Sequence, residues 1–298
     1  MKLVSFVGSD GAHHGVLDDT DGAARVHDLG GGDLLTLLES GDGWQERARR
    51  QMVHAPTHPL AGVRLLAPLR RPPKLLALAG NYQDHVRESK VADVQKANAV
   101  PLLFLKPSTS IIAAGEPISA PSISDAMDYE LELAVVIGRR CKHVDAAGAL
   151  AVVAGYMAAN DISARSIDWG VERGTVTPRM AFFDWLNGKW PDGFAPMGPC
   201  IVTADAIPDP QGLAMRLSVN GEIRQQASTA NMIFTVAETI AFCARFMTLE
   251  PGDVILTGTP SGVGATTGTY LQPGDRMEVW IEGLGSLVTP VITAADAN

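Results

Sequence analysis

Apolar residues run along this chain in short stretches broken by Gly, Pro and Asp, and few stretches carry a helical spacing. Short runs of that kind predict strands. Residues 1–17 predict two strands around the turn Ser9-Asp10-Gly11. Further strands are expected over residues 75–79, 102–105, 131–137, 254–257 and 276–281. Residues 215–219 and 222–226 flank Asn220-Gly221, the strongest hairpin signal present. Helices are expected over 33–38, with Asp33 as N-cap, and over 44–52, 82–90, 146–158 and 235–246. Strands without a regular alternation of helices argue against a doubly wound sheet or a TIM barrel. The expected fold class is therefore α+β and mostly β. The prolines between Pro68 and Pro73 suggest a boundary, giving a small N-terminal domain (1–70) and a main domain (71–298).

Within this pattern one strand is unusual. Asp128-Tyr129-Glu130-Leu131-Glu132-Leu133 leads into Ala-Val-Val-Ile-Gly138. On a strand, residues i and i+2 share a face, so Glu130 and Glu132 stand about 7 Å apart on one side. Two like charges among apolar neighbours repel each other and lose hydration. A hard divalent cation would compensate, and carboxylate oxygens suit Mg²⁺, Mn²⁺ or Ca²⁺. The solvated polar face of an edge strand explains the pair equally well. Asp161, in Asn160-Asp161-Ile162-Ser163 after the helix expected from Ala146, is a candidate third ligand, although an Asp in a turn is more often a cap.

Other chemistry-bearing stretches keep a bland alternative. His85 and Glu88 are three apart on an expected helix and share a face. A carboxylate beside an imidazole suits a general base, and a surface ion pair has the same spacing. Lys106, in Lys106-Pro107-Ser108, and Lys189, in Asn187-Gly188-Lys189-Trp190, could hold a substrate carboxylate or a developing enolate. Either lysine reads as readily as a solvated charge. The small-residue loop from Thr257 through Thr259 to Gly264 offers hydroxyls and backbone N–H groups to an anion, or is a plain connection. The remaining histidines have no ligand pattern around them.

Composition narrows the field. Thirty-three acidic against 24 basic residues, with no basic run, argue against nucleic acid as partner. Three scattered cysteines give no CxxC or zinc spacing and read as reduced core residues. No GxGxxG, P-loop, GxSxG or HExxH pattern occurs. No signal peptide or transmembrane run is read, so the expected location is the cytoplasm and no membrane partner is expected.

Taken in order, several pieces resemble the fumarylacetoacetate hydrolase family over about residues 74 to 290. They are Gly80-Asn81-Tyr82 with His85 and Glu88, Lys106-Pro107-Ser108, Glu130-Leu131-Glu132, and Asn160-Asp161-Ile162-Ser163-Ala164-Arg165. Lys189 with Gly198-Pro199, Val219-Asn220-Gly221 and the loop from Gly252-Asp253 to Gly264 complete the set. The stretch from Gly170 to Lys189 departs from the family pattern in its length and in its aromatic content. The segment before Leu66 resembles nothing specific.

The resemblance implies a mixed β-sandwich rolled into a barrel-like shape, usually homodimeric. It implies Mg²⁺, with Mn²⁺ or Ca²⁺ as alternatives, on Glu130, Glu132 and Asp161. It implies a small-molecule 2-oxo or β-diketo acid as substrate, with Tyr82, Lys106, Ser108, Arg165 and Thr259 as substrate contacts. His85, Glu88 and Lys189 are the implied catalytic residues, the first two on a lid that orders over ligand. The expected reaction is hydrolysis of a C–C bond in an acylpyruvate or fumarylpyruvate through a metal-bound enolate. A lyase on 2-oxo acids, either an oxaloacetate decarboxylase or an oxo-diacid hydratase or isomerase, is the alternative within the enzymes. A non-catalytic 2-oxo-acid binding protein is the alternative outside them.

Overall fold

A twelve-stranded sheet forms the frame of the computed structural model, which describes residues 1–20, 22–90 and 93–297. Its central path starts at Thr57–Pro59 and passes through Arg25–Gly31, Ala12–Asp18 and Lys2–Val7. It continues through Ala195–Thr203, Val153–Asn160 and Leu131–Ile137, then Val254–Leu256, Leu75–Ala79 and Leu102–Leu105. Neighbours on this path are antiparallel except Val254–Leu256 beside Leu75–Ala79, which is parallel. The two ends do not meet, so the sheet stays open. A second sheet of five strands contains the Asn220-Gly221 hairpin and strands Arg276–Ile281 and Gly285–Ile292. The fold is mixed α and β and mostly strand.

Period-2 alternation decides which core each side chain joins. On Leu131–Ile137, Leu131, Leu133, Val135 and Ile137 pack with Leu217, Met277 and Val279 of the smaller sheet. Ala134 and Val136 point the other way, into a second core with Leu34, Leu37 and Trp44 of the two N-terminal helices. Glu132 shares that second face. Those helices, Leu34–Leu38 capped by Asp33 and Trp44–Met52, form where the sequence pattern puts them. The sheet itself runs across the expected boundary near Pro68–Pro73, because Lys2 and Leu3 pair with Val202 and Ile201. No helix among the described residues is long and apolar enough to cross a membrane.

The helix expected over 146–158 forms only over its first four residues, Ala146–Ala149. That short piece passes through a 3-10 turn into strand Val153–Asn160. Every residue of that strand is buried, between Leu131–Ile137 on one side and Ala195–Thr203 on the other. A strand buried on both faces loses its alternation, and an apolar run without alternation cannot be told from a buried helix. Gly155 marks the difference: a Cβ there would lie 2.2 Å from the Val202 carbonyl oxygen, a strand-to-strand approach. Asp161 therefore follows a strand, not a helix. A helix absent from the sequence reading, Pro178–Asn187, precedes Lys189. Thr177 caps it and Pro178 opens it, the usual sequence signature of a helix start.

Candidate active site

Backbone pairing builds the acidic cluster. Glu130 and Glu132 are two apart and face the same side. The Asp161 N–H donates to the Glu130 carbonyl at 2.9 Å, which brings Asp161 across from Glu130 on the neighbouring strand. The Asn160 side-chain oxygen accepts the Glu130 N–H at 2.8 Å and holds this crossing. One oxygen from each of Glu130, Glu132 and Asp161 lies within 4.8 Å of the others, and all three residues are buried.

Cations surround two of the three acids. Lys189 Nζ donates to Glu130 Oε2 and Asp161 Oδ2, both at 2.7 Å. Lys106 Nζ donates to Asp161 Oδ1 at 2.6 Å and to the Lys189 carbonyl at 2.5 Å. Arg165 spans Asp128 Oδ2 at 2.7 Å and Glu130 Oε1 at 2.5 Å. Four carboxylates, those of Asp128, Glu130, Glu132 and Asp161, thus share three cations. Glu132 is the one left over. Its Oε2 accepts the Gly258 N–H at 2.5 Å, and its Oε1 is buried without a partner. Gly258 makes this approach with φ +90°, and a Cβ there would meet the Asn81 side chain at 2.7 Å.

The charges respond accordingly. Burial pushes Glu130 up, but Lys189 and then Arg165 outweigh it and hold the carboxyl at about 2. Burial, then the charges of Asp161 and Glu130, drives Glu132 well above the usual carboxylate range. Burial lowers Lys189, and Asp161 and Glu130 more than restore it. A buried oxygen with no donor, beside two further carboxylates, fits a hard divalent cation by the chemistry of its donors.

Beside the cluster lies a cavity of about 390 Å³, within the usual range for small-molecule sites. Glu130, Arg165, Lys189, His85 and Thr259 supply its polar wall. Leu78, Val86, Leu102, Phe104, Trp185 and Val263 supply most of the rest. His85 sits on helix Gln83–Glu88, with Nδ1 2.8 Å from Glu88 Oε1. Glu88 Oε2 accepts from the Gly262 N–H at 2.9 Å and from the Thr266 hydroxyl at 3.0 Å. Burial raises Glu88, but the bonds from His85, Gly262 and Thr266 win and hold it below its ordinary value. With Nδ1 occupied by Glu88, Nε2 is the ring nitrogen available for proton exchange.

The structure brings most of the expected site residues to the cavity or its acidic cluster and leaves three off the cavity wall. Glu130, Lys189, His85, Arg165 and Thr259 share the cavity wall, and Glu132 and Asp161 adjoin Glu130. Lys106 is not on that wall; it is fully buried against Asp161. Ser108 borders a separate surface depression with Pro107 and Trp190. The Tyr82 hydroxyl is buried and donates to Met215 Sδ at 3.4 Å, away from the cavity.

Two contributors were not singled out from sequence. Asp128 accepts the Gly264 N–H at 2.5 Å and the Ala265 N–H at 3.0 Å while gripping Arg165. It continues the i, i+2, i+4 alternation of acids with Glu130 and Glu132, a signal that could have found it. Gln225 accepts the Leu131 N–H at 2.8 Å and donates to Thr259 Oγ1 at 2.9 Å, tying the second sheet to the site. Trp185, one of the aromatic residues between Gly170 and Lys189, comes from helix Pro178–Asn187 and lines the cavity.

Known proteins share this arrangement of chain. Residues 74–292 match the family model for the fumarylacetoacetate (FAA) hydrolase C-terminal region. The human mitochondrial oxaloacetate tautomerase FAHD2A is 37% identical over 303 residues, covering 98% of this chain and 92% of its own. Fumarylacetoacetate hydrolase from the psychrophilic Exiguobacterium antarcticum matches at TM-score 0.81 and 34% identity, covering 98% of this chain and 99% of its own. Maleylpyruvate hydrolase from Sphingobium sp. SYK-6, in complex with manganese(II) and pyruvate, matches at TM-score 0.77 and 29% identity, covering 98% of this chain and 99% of its own. The match to the family model extends over most of the chain and takes in the acidic cluster and the His85–Glu88 helix, so the protein belongs to the fumarylacetoacetate hydrolase family.

Proposed function

We propose that the protein is a divalent-metal-dependent hydrolase that cleaves a C–C bond in a β-diketo acid of the acylpyruvate type. The observation that carries this reading is the buried Glu130–Glu132–Asp161 cluster, with its unpartnered Glu132 oxygen, beside a cavity that also presents His85. Mg²⁺ is the proposed ion, and Mn²⁺ has support from the maleylpyruvate hydrolase complex. A cation held by these three acids would supply Lewis acidity toward the oxygens of a 2-oxo acid. Lys189 then places a second positive charge beside the oxyanion that develops. His85 Nε2 takes a proton from a water that adds to the distal carbonyl, while Glu88 holds the ring and stabilises the imidazolium. The tetrahedral adduct breaks its C–C bond, releasing a carboxylic acid and the enolate of pyruvate. His85 returns the proton to that enolate carbon. Arg165 keeps Glu130 ionised and oriented throughout.

Two measurements test this. Removing metal with a chelator should abolish hydrolysis of an acylpyruvate, and adding Mg²⁺ or Mn²⁺ should restore it. Full turnover in the presence of chelator would overturn the reading. His85→Ala should lose about 10²–10⁴-fold in kcat while metal still binds by calorimetry.

A tautomerase acting on oxaloacetate is the second reading. Its support is the human relative's name and the His85–Glu88 hydrogen bond, a pairing suited to proton transfer between carbon and oxygen. Comparing enol-to-keto conversion of oxaloacetate with pyruvate release from an acylpyruvate separates the two. A homodimer and a cytoplasmic location complete the proposal, and sedimentation and fractionation test them.

A further inference from the structure

We infer that the cavity selects 2-oxo acids whose distal group is uncharged and apolar, an alkyl or aryl chain rather than a second carboxylate. This rests on the 2-oxo-acid reading above and specifies its substrate class.

Charge and apolar surface are segregated within the cavity. Its Lys and Arg side chains, Lys189 and Arg165, both stand at the acidic end. Each donates a hydrogen bond to the Glu130 carboxylate. That end would take the 2-oxo acid head. An aromatic wall begins beside it: Lys189 Nζ lies 5.4 Å from the Phe104 ring centre and 5.6 Å from that of Trp185. Phe104 and Trp185 meet edge to face at 5.0 Å. Leu102, two residues before Phe104 on the same strand, carries the wall onward, and Val86 and Val94 also line the cavity. Beyond Lys189 and Arg165, the described lining residues include no Lys or Arg. A distal carboxylate packed against Phe104 and Trp185 would lose part of its hydration with no further Lys or Arg to replace it. An alkyl chain would lose only its own unfavourable contact with water.

Binding of product-like 2-oxo acids to the intact protein with saturating Mg²⁺, followed by calorimetry, gives a test without turnover. Affinity should rise from pyruvate through 2-oxobutanoate to 2-oxohexanoate by about fourfold per methylene (about 0.8 kcal/mol). 2-Oxoglutarate, close to 2-oxohexanoate in size, should bind at least about tenfold more weakly than it. Trp185→Ala should flatten the dependence on chain length. Leu102→Arg, at a position 62% exposed, should shift affinity toward 2-oxoglutarate without disturbing the core. In turnover, hexanoylpyruvate should be preferred over fumarylpyruvate by kcat/KM. A flat chain-length series, or 2-oxoglutarate binding as tightly as 2-oxohexanoate, would overturn the inference and leave the 2-oxo-acid reading intact. Failure of every acid to bind, pyruvate included, would overturn both.

Discussion

Glu132 carries the least compensated charge in the site. It has one backbone donor, two acidic neighbours and one bare buried oxygen. Glu132→Gln keeps the shape and removes the charge. Metal affinity measured by calorimetry should fall by at least about 100-fold, more than loss of a supporting partner typically costs. The metal-free variant should melt no lower than the metal-free parent, because the substitution relieves a surplus buried acid. A clear drop in metal-free Tm would mean that Glu132 is balanced by something other than a cation. Asp128 is the opposite case. It accepts two backbone N–H groups and the Arg165 guanidinium, so its charge is fully used. Asp128→Ala should destabilise the protein by about 3–5 kcal/mol, since Arg165 loses a buried partner. Denaturant titration would read this directly, and a loss under about 1 kcal/mol would contradict the account.

At the scale of elements, helix Gln83–Glu88 has only six residues and buries only Val86. A helix so short depends on its tethers rather than on its own hydrogen bonds. The principal one is Glu88, which reaches Gly262 and Thr266 in the loop after strand Val254–Leu256. The folded state holds Glu88 below its ordinary pKa, so the tether is fully present above that ordinary value. It weakens as pH falls through the lowered one. Amide exchange over residues 83–88 should therefore become faster, after correction for intrinsic rates, as pH is lowered from about 6 through the acid range below the ordinary Glu value. Unchanged protection across that range would show that the helix is held some other way. Strand Val153–Asn160 makes the complementary point: its place in the sheet comes from two flanking strands, and no local signal distinguishes it from a helix.

For the whole molecule, residues 1–70 and the rest of the chain share one sheet and pack against each other. Lys2–Val7 adds directly to Ala195–Thr203, and Leu34, Leu38 and Trp44 cover the face that carries Ala134, Val136 and Ala159. Removing residues 1–70 would expose that face and leave an unpaired strand edge. Residues 71–298 alone should therefore aggregate or melt well below the full chain in a thermal scan. A truncated protein that stayed monomeric with an unchanged Tm would show that the first 70 residues form a separate unit.

Much of this was legible before any coordinates. The i, i+2 spacing places Glu130 and Glu132 on one side of a strand whatever surrounds it, because alternation belongs to the extended backbone itself. The i, i+3 spacing does the same for His85 and Glu88 on a helix turn. Asp33, Thr235 and Asn220-Gly221 mark their elements through local hydrogen bonding and turn geometry. Tertiary structure decided what those side chains face. Lys106 reaches Asp161 across 55 residues and Lys189 reaches Glu130 across 59, so no local pattern could say which lysine braces a carboxylate from behind and which meets the cavity. Nor could it say that Trp185, rather than the exposed Phe182 and Phe183, turns inward against Phe104. Local geometry sets the direction of a side chain relative to its own backbone; only the packing of distant segments determines what stands there to meet it.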